Sequence, residues 1–443
     1  MDLRDQQDNL TQLVSDILDE ARRQGADQAE VSASVDAGLA VSVRKGDVEQ
    51  VEFNQDRGFG ITLYFGQRKG SASTSDSSAS AIADTVAAAK NIARYTEEDD
   101  CSGLAAAELM ATEFEDLDLF HPWAVDAEQA TEMAVACEAA GLSLDARVAR
   151  SDGAQVTSHQ AVRVYGNSHG FMGVSNGTRQ GMSCVLIGED EQGMQRDYWY
   201  TVARKHEDLD APAQVGEKAA ERTVQRLSPR KAPTGKFPVL FDATLSGGLV
   251  GHLLGAISGG ALYRKASFLT DSLGTQILPP DMSLVERPRL RGQLGSTCYD
   301  ADGVATYEQA FVKEGVIASY ILSEYSARKL GMQTTANSGG VFNLDVDGQS
   351  KPVAQLLAEM NTGLYVTELM GQGVNGVTGD YSRGAAGFWV ENGALAYPVA
   401  EVTIAGNLKD MYLGLAGMGD DVDYRGNIRA PSLLLSEMTV AGQ

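Results

Sequence analysis

Side chains able to do metal or nucleophilic chemistry are sparse in this 443-residue chain. There are five histidines (His121, His159, His169, His206, His252) and four cysteines (Cys101, Cys137, Cys184, Cys298). No HxxxH, HxH or HExxH pattern occurs, so a self-sufficient zinc centre would have to be assembled from residues distant in sequence. There is no GxSxG elbow to present a serine nucleophile, and Ser382, within Tyr-Ser-Arg-Gly, reads as a turn residue. Cys298, within Gly-Ser-Thr-Cys-Tyr, reads as a half-buried strand cysteine rather than a nucleophile with a histidine partner. His252 stands alone on the apolar, glycine-rich run 247–260, a setting that favours a hydrogen-bonded core histidine over a ligand.

The other chemistry-bearing stretch is residues 371–393, where glycines alternate with Asn375, Thr378, Asp380, Tyr381, Ser382 and Arg383 before Phe388, Trp389 and Val390. Glycine at this density weakens regular structure unless the backbone turns tightly or approaches something closely. A phosphate-cradling loop fails here. No GxxxxGK[ST] is present, and the glycines at 371–379 do not separate a clear strand from a clear helix. The stretch reads as a tight turn followed by a strand, 378–390, in which Asp380 and Arg383 could pair across the turn.

These residues must be positioned by many short elements. Leu10, Leu13, Val14, Ile17, Leu18 and Ala21 recur at helical spacing, predicting an amphipathic helix over 8–24, capped by Asp8 or Asn9 and stopped at Gly25. Alternation predicts strands at 29–35, 39–43, 51–53 and 59–65, with turns at Lys45-Gly46 and Arg57-Gly58. A serine-rich loop over 71–80 precedes a second helix marked by Ile82, Val86, Ala89 and Ala93. The order returns as a helix at 127–140, strands at 144–149, 156–165, 181–187 and 197–203, a polar stretch at 206–210 and a helix at 214–227. This suggests a divergent internal duplication. The expected domains are a helix-meander-helix unit (1–95), an acidic linker with one short helix (96–120), a middle unit repeating the first (121–230) and a larger C-terminal domain (231–443). In the last, helices are expected at 245–258, 324–330 and 352–360, with hairpin-like stretches at 304–322. Short strands with tight returns favour an α+β class over a doubly wound sheet.

With 60 acidic against 36 basic residues, the formal net charge is -24. Such a surface repels phosphate backbones and anionic lipid, arguing against nucleic acid or membrane as a partner. The N-terminus, MDLRDQQDNL, lacks the basic-then-apolar order of a signal peptide, and no apolar run reaches the ~18 residues of a membrane span. The scattered cysteines fit free thiols in a reducing cytoplasm.

The motifs at 248–274, 319–331, 363–393, 397–411 and 433–443, with the helix-and-meander pattern before them, make the chain resemble the TldD/TldE (PmbA, modulator of DNA gyrase) family, in its TldE/PmbA branch. The resemblance covers essentially the whole chain. It implies a subunit of a cytoplasmic heterodimeric zinc metallopeptidase acting on unfolded peptides, with microcin-precursor maturation and antitoxin degradation as associated roles. The TldD-like partner carries zinc on an HExxxH helix with a further cysteine near its C-terminus. The six matching positions here are Gly247, Gly248, Leu249, Val250, Gly251 and His252, and no cysteine follows Cys298. The resemblance therefore implies no metal and no intact catalytic site in this chain, with zinc in the partner. Alone, the chain is a candidate homodimer. His252 is then either a packed core residue or a polar group facing the peptide chamber, and Asp380, Tyr381, Ser382 and Arg383 are candidates for chamber or subunit contacts. The alternatives are an independent metallohydrolase with an unrecognised site, or a non-enzymatic peptide-binding or regulatory protein.

Overall fold

The computed structural model describes residues 3–442; Met1 and Asp2, at the polar N-terminus, and Gln443, the last residue of the C-terminal motif, lie outside the described residues. The class is α+β. Helix α1 (Gln7–Arg23) is followed by strands β1 (Gln28–Arg44), β2 (Asp47–Phe65) and β3 (Arg68–Thr74) and helix α2 (Ala79–Tyr95). The same order recurs as α3 (Ala127–Leu144), β4 (Arg150–Asn167), β5 (Met172–Asp190), β6 (Gly193–Ala203) and α4 (Pro212–Gln225). The two units share one antiparallel sheet, ordered β3-β2-β1-β4-β5-β6, because β1 pairs with β4 from Glu30–Asn167 to Val43–Ala154. Helices cover one face of it. Val31, Ala33 and Val35 pack under α1 and α2, and Val41 and Val43 of the same strand pack under α3. Side chains two apart point to the same side of a strand, so β1 serves both cores without a break.

The C-terminal region begins with β7 (Gly235–Phe241), α5 (Ala243–Ala256) and α6 (Gly259–Tyr263). It continues through β8 (Ser283–Glu286), β9 (Gln309–Lys313), β10 (Val316–Ile317), α7 (Glu324–Leu330), β11 (Leu344–Asp347) and β12 (Ser350–Lys351). Then come α8 (Val353–Met360), β13 (Gly363–Met370), β14 (Asp380–Glu391), β15 (Ala394–Asn407), α9 (Leu408–Leu413), β16 (Leu415–Gly419), β17 (Ile428–Arg429) and β18 (Leu433–Ala441). One sheet runs β12-β16-β18-β15-β14-β13-β7; since β18 also pairs with β7, strands β7, β13, β14, β15 and β18 close into a ring. Closure leaves this ring no free edge. A smaller sheet runs β10-β9-β8-β11-β17, and the largest apolar core gathers side chains from both sheets and α5.

Several expected boundaries move. The predicted turn at Arg57-Gly58 does not form, and β2 runs through it for 19 residues because Gln50 to Tyr64 all find partners on β1, Gly58 opposite Ser34. The serine-rich stretch expected as a loop is strand up to Thr74, since Ser71 and Ser73 pair with Thr62 and Gly60. No strand forms at 144–149; α3 ends at Leu144 and Val148 donates its N–H to Asp145 O (2.9 Å) in a turn. Helix α1 has neither Asp8 nor Asn9 as its cap, because a short 3-10 turn (Leu3–Gln6) leads straight into it. The acidic stretch after α2 is packed rather than loose: Met110 bridges to Val304, and the Arg328 guanidinium donates to Leu104 O (2.7 Å). Arg425 ties the second unit to the C-terminal region, 4.2 Å from both the Trp199 and Tyr200 rings.

Candidate functional site

Helix α5 carries the glycine-rich motif. Its cap, Asp242, accepts from the Thr244 N–H (3.0 Å) and from the Tyr365 hydroxyl, which satisfies the first turn and neutralises part of the helix dipole. Leu249, Val250, Leu253 and Leu254 bury one face. On the other, Gly248 and Gly255 are exposed, and Gly247, Gly251 and His252 are half-buried. A methyl group at Gly247 would lie 3.4 Å from Ile428 O and 3.9 Å from its Cβ; one at Gly251 would lie 3.8 Å from Ile428 Cδ1. One at Gly248 would meet nothing within 4 Å. The residue that fills the first position's surroundings is therefore an isoleucine on β17, from a distant part of the chain.

His252 meets the ring of Tyr381 edge-to-face, centroids 6.1 Å apart. Burial, and then the Arg383 guanidinium, hold its pKa below the ordinary imidazole value, so it is neutral near pH 7. Tyr381 is 2% exposed; burial pushes its hydroxyl up to about 12, opposed by the neighbouring Arg383. Tyr412, fully buried beside it, donates to Leu249 O (2.8 Å) and fixes α5 against the ring of strands.

Asp380, Tyr381, Ser382 and Arg383 open strand β14 rather than sitting in a turn. Strand alternation separates them: Tyr381 and Arg383 face His252, while Asp380 and Ser382 point away and are exposed. The anticipated Asp380–Arg383 pair does not form. The Asp380 carboxylate instead accepts from the Thr378 hydroxyl (2.6 Å) and the Asn407 amide (3.4 Å). Ser382 contributes its backbone, its N–H donating to Gly373 O at 2.7 Å. Sequence reasoning missed Ile428 and Tyr412; neither carries a local signal, since each matters only through what it packs against.

Zinc needs three or four nitrogen, sulfur or carboxylate donors converging on one point. Around α5, His252 is the single imidazole, the two positions opening the motif are glycines, and all four cysteines are buried elsewhere as free thiols. Among the described residues, three potential ligands converge at Asp99, Asp100 and Cys101, where Asp99 is already held by Lys329 (2.8 Å) and Tyr325 (2.7 Å). The donor set around α5 does not fit zinc.

The architecture is that of a known class. It matches a putative modulator of DNA gyrase from Bacteroides thetaiotaomicron with a TM-score of 0.93 over 99% of this chain and 100% of that one, at 27% identity. It shares its fold with TldE from Thermococcus kodakarensis (TM-score 0.85, 18% identity, 97% of this chain and 100% of that one). Models of the PmbA/TldA metallopeptidase domain 1, central domain and C-terminal domain match residues 29–93, 120–227 and 234–442. The metalloprotease PmbA of Escherichia coli is 51% identical over 418 residues, covering 94% of this chain and 93% of that protein. The chain belongs to the PmbA/TldD metallopeptidase family. That family implies a metal ion such as zinc in the working enzyme. Among the described residues, no helix is long and apolar enough to cross a membrane.

Proposed function

We propose that this chain is the non-zinc subunit of a TldD/TldE-type cytoplasmic peptidase, shaping the chamber in which a zinc-bearing TldD-like partner cleaves unfolded peptides. The observation that carries the reading is the state of α5: glycine at the first ligand and general-base positions, His252 alone at the third, and Ile428 packed against Gly247. One neutral imidazole neither holds a catalytic metal nor replaces the carboxylate that would deprotonate its water. The fold match to a TldE protein supports the same division of labour. In this reading the partner supplies the metal-bound water, while this chain contributes the α5 face, His252 and Arg383 to the chamber or the subunit contact, with Asp380 and Ser382 on the outer side of β14. Microcin-precursor maturation and antitoxin degradation are the substrate roles to test first.

The experiment mixes the purified chain with a TldD-like chain bearing an intact HExxxH and follows cleavage of an unstructured peptide. Co-elution, zinc confined to the partner and cleavage dependent on both chains are the expected results. A fully active partner that does not co-elute with this chain overturns the reading. Because relatives carry the name metalloprotease, an independent metallohydrolase is the second reading; stoichiometric zinc on this chain alone, with activity lost on chelation, establishes it.

A further inference from the structure

The face of the N-terminal sheet opposite the helices is a trough. Adjacent strands place Ser34 beside Gly58, Ser32 beside Gly60 and Ser73, and Glu30 beside Thr62 and Ser71. On β1, β2 and β3 no side chain in the first two rows is larger than serine, while β4 places Arg163 beside Ser34 and Tyr165 beside Ser32, both in the lining. Loops carrying Tyr299, Asp300, Ala301, Asp302 and Ser338 roof it without filling it. Three adjoining cavities of about 990, 770 and 500 Å³ result, all bordered by Tyr165. From the Ser34 row to the Gln28 row is six residues, about 20 Å at ~3.3 Å per residue. That is the span of about six residues of extended polypeptide.

The two ends differ in charge. At one end Glu30, Asp302, Glu324 and the acidic run 97–100 face the space, against Lys69 and Lys329. Lys329 is spent on Asp99 (2.8 Å), and Lys69 lies 5.8 Å from the centre of the Tyr64 ring. Glu324 is paired with Arg328 (3.0 Å), and Asp302 accepts from Ser338 Oγ (2.8 Å). Glu30 is held by the hydroxyls of Tyr64 and Tyr165, each at 2.9 Å, which fix its carboxylate at the mouth of the trough. At the far end the charged groups are Arg57, Arg163, already shared with Asp36 (3.4 Å), and the buried Asp300.

We propose that this trough binds an extended polypeptide segment lying across the sheet face, with its amino-terminal or basic end at Glu30 and Asp302. Hydroxyls that rotate freely can donate to or accept from peptide groups in any register, so the floor selects backbone rather than sequence. The acidic end selects polarity. The choice of a peptide as occupant rests on the peptidase reading above, but the site belongs to this chain alone and needs neither partner nor cleavage.

The test uses the full isolated chain and the fluorescence anisotropy of dye-labelled octapeptides of alternating serine and alanine, one opening with two lysines and one with two glutamates. The lysine form is expected to bind about tenfold or more tighter than the glutamate form at low salt, and less selectively as salt rises. Gly58→Leu fills the trough where the nearest foreign atom is 3.9 Å from the new Cβ, and should abolish binding of both peptides while the melting curve is retained. Glu30→Gln keeps an acceptor for one tyrosine and offers its amide N–H to the hydroxyl oxygen of the other, and should weaken the lysine form about threefold to tenfold without affecting the glutamate form. Equal binding of the two peptides, or undiminished binding by a folded Gly58→Leu chain, overturns the proposal. These outcomes are independent of whether a TldD-like partner associates or cleaves.

Discussion

Helix α5 and the trough of the N-terminal sheet both replace side chains with glycine, and the consequences are opposite. At α5 the space beside Gly247 is taken by Ile428 from β17. At β2 a methyl on Gly58 would come no nearer than 3.9 Å to Ser34 Oγ, and the space above it stays open because the C-terminal loops arch over it instead of packing down. A missing side chain thus leaves no opening at one site and an open space at the other. Glycine acquires its meaning from the neighbour that does or does not fill the gap.

The comparison can be broken first at its most packed point. Tyr381→Ala empties a buried ring-sized volume between His252 and Tyr412 and should cost about 3–5 kcal/mol, whereas Ser382→Ala, one residue along and facing outward, should stay within about 0.5 kcal/mol. Denaturant unfolding of the two variants checks this; equal costs would mean that β14 is not in the described register. A pH titration addresses the roof of the trough. Burial, with the charge of Asp302, pushes the Asp300 carboxyl up to about 7. A folded-state pKa raised above the unfolded value makes stability full below about 4 and progressively lost as pH rises through 7, by on the order of 1.4 kcal/mol per pKa unit. Melting temperature against pH should show that decline in the native chain and a flat profile between pH 4 and 7 in Asp300→Asn.

Placing an HExxxH pattern on α5 gives a smaller effect. Gly247→His with Gly248→Glu should destabilise by about 1–3 kcal/mol through overpacking on Ile428, and metal analysis should still find no stoichiometric zinc. Tight zinc in that variant would show that Ile428 yields. Smallest is Gly248→Ala: nothing lies within 4 Å of the new methyl, so helix propensity should raise stability by about 0.5–1 kcal/mol. If the same variant also weakens association with a TldD-like chain, the bare α5 face is part of the subunit contact.

Much of this was legible in the sequence. Helix α7 falls on the predicted 324–330, where Ser323 caps it and Gly331 at φ 66° stops it. The duplicated helix-meander-helix order was visible as repeated patterning, and so was the glycine-rich, apolar character of α5. The limits are equally specific. Local turn signals at Arg57-Gly58 and the serines at 71–80 pointed to loops, yet the chain is strand through Arg57-Gly58 and up to Thr74. Hydrogen bonds to β1 and β2 outweigh weak local propensity.

By itself the sequence determined the family, the two-sided patterning of each strand and that His252 is the one imidazole on α5, because these depend on residue identity and spacing alone. The tertiary structure decided that the two units share one sheet, that Ile428 closes the space beside Gly247, and that serines and glycines from three strands line one open trough. Each of these depends on pairing between residues far apart in the chain. Such contacts form through register and packing, and no local segment encodes them.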